Sequence, residues 1–77
     1  MSDIATSILT GIAEPQGWHM VSNAYDGVHR WGFEKDGKVA TVTVSEREIA
    51  ENDKLGQMTD LLIARLNIGM LTASNSK

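Results

Sequence analysis

The sequence predicts a small α+β domain. Its architecture is a two-layer sandwich in the order α-β-β-β-α, with a three-stranded antiparallel meander and both helices on one sheet face. Three observations predict it. Two Asp-Gly dipeptides, Asp26-Gly27 and Asp36-Gly37, lie ten residues apart between runs of strand formers. Apolar residues recur at helical spacing before and after that region. A capping-box signature, Ser45-Glu46-Arg47-Glu48, divides the last strand from the helix that follows.

The first element is a helix over residues 2–13, in which Ile4, Ile8 and Ile12, with Ala5 and Leu9 beside them, make one apolar stripe. Ser2 or Asp3 is suited to cap its start. Pro15, the only proline, ends it at or before Glu14, and Gln16-Gly17 turns the chain into the first strand.

Asp-Gly suits a two-residue type I′ turn because both central residues take positive φ. Two such turns give strands over residues 17–25, 28–35 and 38–44. The first turn pairs Tyr25 with Val28, Ser22 with Trp31 and Met20 with Phe33. The second pairs Lys35 with Lys38, Phe33 with Ala40 and Trp31 with Val42. Cross-strand partners share a face and successive residues alternate. One face therefore gathers Trp18, Met20, Ser22, Trp31, Phe33, Ala40, Val42 and Val44. The other gathers His19, Val21, Asn23, Arg30, Gly32, Glu34, Val39, Thr41 and Thr43. The apolar face is the one the helices must cover.

Beyond the capping box, Leu55, Met58, Leu62 and Leu66 form a second helical stripe. Ile49 lies off that stripe, so a short helix, a break at Asn52-Asp53 and a longer helix over 53–67 fit best. Gly69 is placed as the residue that ends the helix. Met70 and Leu71 fold back onto the core. The domain thus covers residues 1–71, with 72–77 as a disordered tail.

Composition narrows the function. The chain has 77 residues, 42% of them hydrophobic, no cysteine and a net charge of −3. One small core must hold it together without disulfides or a thiolate metal site. The N-terminal residues carry neither the basic nor the long apolar segment of a secretory signal, and no run suits a membrane span. A cytoplasmic location with no membrane association is expected. The seven cations are scattered, whereas phosphate binding draws on clustered cations.

The element order resembles that of the double-stranded RNA-binding domain across most of the chain. That family's second helix opens with a lysine cluster that grips phosphates. Here the matching stretch is Glu46-Arg47-Glu48, followed by Glu51, Asn52 and Asp53. The topology is expected without the RNA function.

No catalytic, metal-binding or phosphate-binding motif occurs, so no enzyme activity, cofactor or metal is expected. His19 and His29 fall on opposite sheet faces, with His19 opposite Glu34. Trp18, Trp31 and Phe33 belong to the core rather than to a base-stacking platform. The candidate residues form a protein interface instead. Tyr25, at a hairpin tip, is the aromatic that the core does not need. Gly32, flanked by Val21 and Thr41 and rimmed by Arg30, Glu34, His19 and Asn23, makes a flat strip on the open face. Val39, Thr41 and Thr43 lie on an edge strand with no charge or proline to blunt it, so a homodimer through residues 39–44 is expected. Glu46, Glu48, Glu51 and Asp53 stabilise a helix start and also offer a negative patch to a basic partner.

The leading reading is a small non-catalytic protein-binding module. Short, acidic, cysteine-free chains of this kind are similar in general type to the accessory proteins of phages and mobile elements that inhibit or modulate a host protein or nucleoprotein complex, anti-CRISPR proteins among them. The alternatives are a nucleic-acid-binding module of double-stranded RNA-binding topology and a structural assembly subunit.

Overall fold

The computed structural model describes residues 2–75. The side chains of Ser2, Asp3 and Asn75 lie outside the described ones, as does the cap expected of the first two. The elements are α1 (Ser2–Ala13), β1 (His19–Tyr25), β2 (Val28–Lys35), β3 (Lys38–Ser45), α2 (Glu46–Glu51), α3 (Leu55–Leu71) and β4 (Ser74–Asn75). The order α-β-β-β-α and the antiparallel meander are present. The sheet order is β1-β2-β3-β4.

After α1, Glu14–Gln16 make a single 3₁₀ turn with Pro15 in its first positions, and Gly17 takes φ 90° to send the chain into β1. A left-handed residue at this point favours glycine. The core joins both long helices to one sheet face: Ala5, Leu9 and Ala13 of α1, Trp31 and Phe33 of β2, Ala40, Val42 and Val44 of β3, and Leu62 and Leu66 of α3. Full burial of one such large side chain is worth about 1.5–3 kcal/mol relative to exposure. The indole N–H of buried Trp31 donates to Thr6 Oγ1 at 2.9 Å, so the polar atom of this side chain is satisfied.

The α1 stripe differs from the isoleucine stripe. Ala5, Leu9 and Ala13 are buried, Ile8 and Ile12 pack beside them, and Ile4 is 59% exposed. Small residues above and below Leu9 bring the α1 backbone close to the sheet and α3, which turns the isoleucines to the flanks.

The second hairpin has the expected register, with Lys35 opposite Lys38, Phe33 opposite Ala40 and Trp31 opposite Val42. Asp36 and Gly37 have φ 52° and 78°, as a type I′ turn requires. The first hairpin does not. Tyr25 pairs with His29, Asn23 with Trp31 and Ser22 with Gly32, while Met20 pairs with Phe33 and His19 with Glu34. The register shift lies between Met20 and Ser22. At the tip, Asp26 N–H donates to Val28 O at 3.3 Å, and only Gly27 has positive φ, 90°.

The cause is Gly32. A Cβ there would lie 2.4 Å from Ser22 Oγ and 3.7 Å from Val21 Cγ2. Two side chains of a β-bulge occupy the space above one glycine. Ser22 consequently moves to the open face. Asn23 and Tyr25 move to the helix side, where the Asn23 amide donates to Thr6 Oγ1 at 3.5 Å.

The capping box forms as expected. Glu48 N–H donates to Ser45 Oγ at 3.1 Å, and Ser45 N–H to Glu48 Oε1 at 3.0 Å. The helical region does break near Asn52. Gly69, however, lies inside α3, which runs on to Leu71 and ends with Thr72 N–H donating to Ile68 O at 2.9 Å. Gly69 is buried against β3, and a Cβ there would stand 2.7 Å from the Thr41 carbonyl oxygen. This glycine permits a close helix–sheet approach rather than a helix stop. Past Leu71, where a disordered tail is expected, Ser74 pairs with Val39 and Asn75 with Lys38. Residues 76 and 77 lie outside the described residues.

Candidate functional site

The edge of β3 is occupied by the chain itself. In a two-residue hairpin the closing pair, Lys35 and Lys38, is hydrogen-bonded, and bonded pairs then alternate along the ladder. The backbone groups of Val39, Thr41 and Thr43 therefore point away from β2. Val39 meets Ser74 of β4. Thr41 O faces Gly69 of α3. Thr43 O accepts from Arg65 Nη1 at 2.9 Å. The open edge expected over residues 39–44 is covered by α3 and β4. The side chains of Thr41 and Thr43 remain exposed on the open face.

The free edge is β1. It terminates the sheet order, and all seven of its residues are exposed. By the same alternation, the backbone groups of Met20, Asn23 and Tyr25 point outward. The strand carries no Asp, Glu, Lys or Arg. Val21 is 57% and Tyr25 53% exposed. The bulge at Val21-Ser22 interrupts the ladder and leaves a short regular stretch over 23–25 open to pairing.

Tyr25 anchors one end of this edge. Its ring lies 4.4 Å from that of His29, which stacks at 5.8 Å on Trp31. Its hydroxyl donates to the Glu46 carboxylate at the start of α2. That bond to a negative acceptor holds the phenolic proton and raises the Tyr25 pKa. Beside it, Arg30 and Asp26 form an exposed ion pair at 2.6 Å, which lowers the Asp26 pKa.

The open face carries Arg30, Glu34, Val39, Thr41 and Thr43, as expected of those residues. Gly32 is different: it is buried beneath Val21 and Ser22, so no flat accessible strip exists there. His19 faces Glu34 across the strands.

The acidic residues have local partners. Glu46 accepts from Tyr25. Glu51 pairs with Arg47 at 3.3 Å. Glu48 completes the capping box and pairs with Arg65 of α3. The Arg65 guanidinium, followed by the Ser45 backbone, lowers the Glu48 pKa to about 2. Asp53 lines a separate apolar groove with Ile4, Ile49, Leu55 and Met58. The four carboxylates do not converge on one site.

Sequence reasoning put Val21 and Asn23 together on the open face without the bulge that parts them, and missed Arg65 and the contact of Gly69. The signal for the first two was Gly32 itself, since a lone glycine inside a strand marks a bulge. Arg65 and Gly69 left no signal before the path of α3 across β3 was known. No group of three His, Cys, Asp or Glu residues that could hold a metal occurs among the described residues. Among them, no helix is long and apolar enough to cross a membrane. Comparison with protein-family models, curated proteins and solved structures returns no match.

Proposed function

We propose that the chain is a small non-catalytic module that binds another protein through the free edge of β1 and the open sheet face beside it. The observation that carries this reading is the exposure of every residue of β1, an uncharged edge strand with outward backbone donors and acceptors. Such an edge accepts an extended segment of a partner by main-chain pairing, and Tyr25 and Val21 supply apolar contact at its flanks. The partner fitting the small acidic character of the chain is a host protein or nucleoprotein complex that the module inhibits or modulates. A nucleic-acid target is disfavoured by pairing as well as by net charge: Arg30, Arg47 and Arg65 each hold a carboxylate.

The test is retention of a partner from host lysate by immobilised protein. Val21→Lys and Ala24→Lys alter exposed positions of β1 without entering the core. Each is expected to reduce retention at least about tenfold, an edge lysine being an effective block to strand addition. Asp60→Lys, on exposed α3 surface, is expected to leave it unchanged. Equal retention by all variants, or none by the native chain, contradicts the reading. Retention abolished by nuclease favours the nucleic-acid alternative.

A further inference from the structure

The six residues of α2 are the most weakly attached helix of the fold. None is buried. Ile49 alone packs against the core, and it is only partly buried. An isolated helix of this length does not persist in water, because nucleation outweighs so few hydrogen bonds. Its order therefore depends on what ties it down.

Among the described residues, two side-chain hydrogen-bonded ties reach α2 from elements other than the adjoining β3. Tyr25 donates to Glu46 from the first hairpin, an exposed contact. Arg65, on α3, holds Glu48 with both terminal nitrogens while one of them also donates to Thr43 O. This second tie is the better shielded one, with the two side chains 34% and 30% exposed. Ile49 and Ala50 of α2 also form one wall of an apolar groove of about 360 Å³, lined further by Ile4 and Ala5 of α1 and Leu55 and Met58 of α3. Ile4 and Leu55 at its rim are well exposed. The connection from α2 to α3, Asn52 to Lys54, leaves the helical conformation, with Asn52 at φ −123° and ψ 49°.

We infer that α2 is a latch. Residues 46–51 open as a unit, hinged at Asn52–Lys54, while the sheet, α1 and α3 stay folded. The Glu48–Arg65 pair is the main fastening, and opening carries Ile49 away and widens the groove between α1 and α3. Segments with few buried contacts open far below the global unfolding free energy. The inference is independent of the proposed binding edge on β1.

The native chain has no cysteine, so Ile49→Cys provides a single thiol whose labelling reports opening. Amide exchange at Leu62 and Leu66, both fully buried, reports global unfolding in the same protein. The latch predicts thiol labelling slower than for a free thiol, yet implying an open population at least about a hundredfold larger than the core amides report. Glu48→Gln retains a capping-box acceptor at this position and removes the charge. It is expected to speed labelling and Leu62 and Leu66 exchange alike, about fivefold, the effect of weakening one charge-assisted hydrogen bond that is absent from the open and the unfolded states, so that the hundredfold gap between them persists. Arg47→Gln, which breaks only the exposed pair within α2, leaves both rates unchanged. The inference is overturned if labelling implies an open population no larger than core exchange does, if Glu48→Gln leaves labelling unchanged, or if the thiol labels at the free-thiol rate in every variant. Amide exchange of residues 47–51 in the chain without the cysteine repeats the comparison, so a disruptive Ile49→Cys does not spare it.

Discussion

Asp36-Gly37 and Asp26-Gly27 close the two hairpins of one sheet, and they close them differently. In the second hairpin both residues take positive φ and the strands pair without a shift. In the first, only Gly27 does, the loop tightens around it, and β1 slips by one residue between Met20 and Ser22. The dipeptides are identical, so the difference comes from the strands. β3 is backed by α3, and its residues on the helix side, Ala40, Val42 and Val44, are all buried. Among the described residues, β1 has no strand on its outer side, and it lies opposite the one β2 residue without a Cβ. A turn preference sets register only where both strands are uniform. At Gly32 the space for Val21 and Ser22, together with contacts of Asn23 and Tyr25 on the helix side, outweighs it.

The largest expected effect falls on β2, the strand both hairpins share. Trp31→Ala should cost about 3–5 kcal/mol, the range for truncating a buried large aromatic, measured by denaturant unfolding. Thr41→Ala, on the open face of the neighbouring strand, should stay within about 0.5 kcal/mol. Equal losses would mean that the second hairpin, too, is out of register.

Gly32→Val sharpens the contrast between the hairpins. The added side chain collides with Ser22 in the first while leaving the second turn untouched. Overpacking of this kind costs about 1–3 kcal/mol, and the bulge should be lost or displaced. Backbone chemical shifts should move over 19–25 and remain in place over 38–44. Shifts spread evenly over both hairpins would remove Gly32 as the cause.

A smaller effect separates α2 from both hairpins through pH. Folding lowers the Glu48 pKa from 4.5 to about 2. A depressed carboxylate pKa means the folded state binds the proton less well than the unfolded chain. The contribution is thus complete above pH 4.5 and is lost as pH falls toward 2. Glu48→Gln should be less stable at neutral pH by about 1 kcal/mol, given that the pair is partly exposed. The difference from the native chain should shrink through that window. A difference that is constant with pH would contradict the Arg65–Glu48 pairing.

Much of the fold was legible because several local signals agreed. The capping box at Ser45 and Glu48, the helix-ending Pro15 and the second Asp-Gly turn each act within a few residues, and each formed as its chemistry requires. The slip in β1 was legible only in part, since Gly32 marks a bulge but not which residues opposite it fill the space. The path of α3 was not legible. Gly69 reads as a helix end in sequence, and only its contact with Thr41 shows why a helix interior needs glycine there. The candidate surface moved for the same reason. Once α3, Arg65 and β4 cover β3, the exposed edge passes to β1, and the acidic residues of α2 are engaged by Tyr25, Arg47 and Arg65.

The register of β1 decides which of its side chains face the helices and which face Tyr25 shares, and one nuclear Overhauser measurement reads it. Asn23 and Trp31 form a pair without backbone hydrogen bonds, so their Hα atoms lie close together. A strong Hα–Hα cross-peak between Asn23 and Trp31, with a second between Tyr25 and His29, is the expected result. Cross-strand peaks placing Ser22 opposite Trp31 and Tyr25 opposite Val28 would contradict it, restoring an unshifted hairpin and returning Tyr25 to the open face.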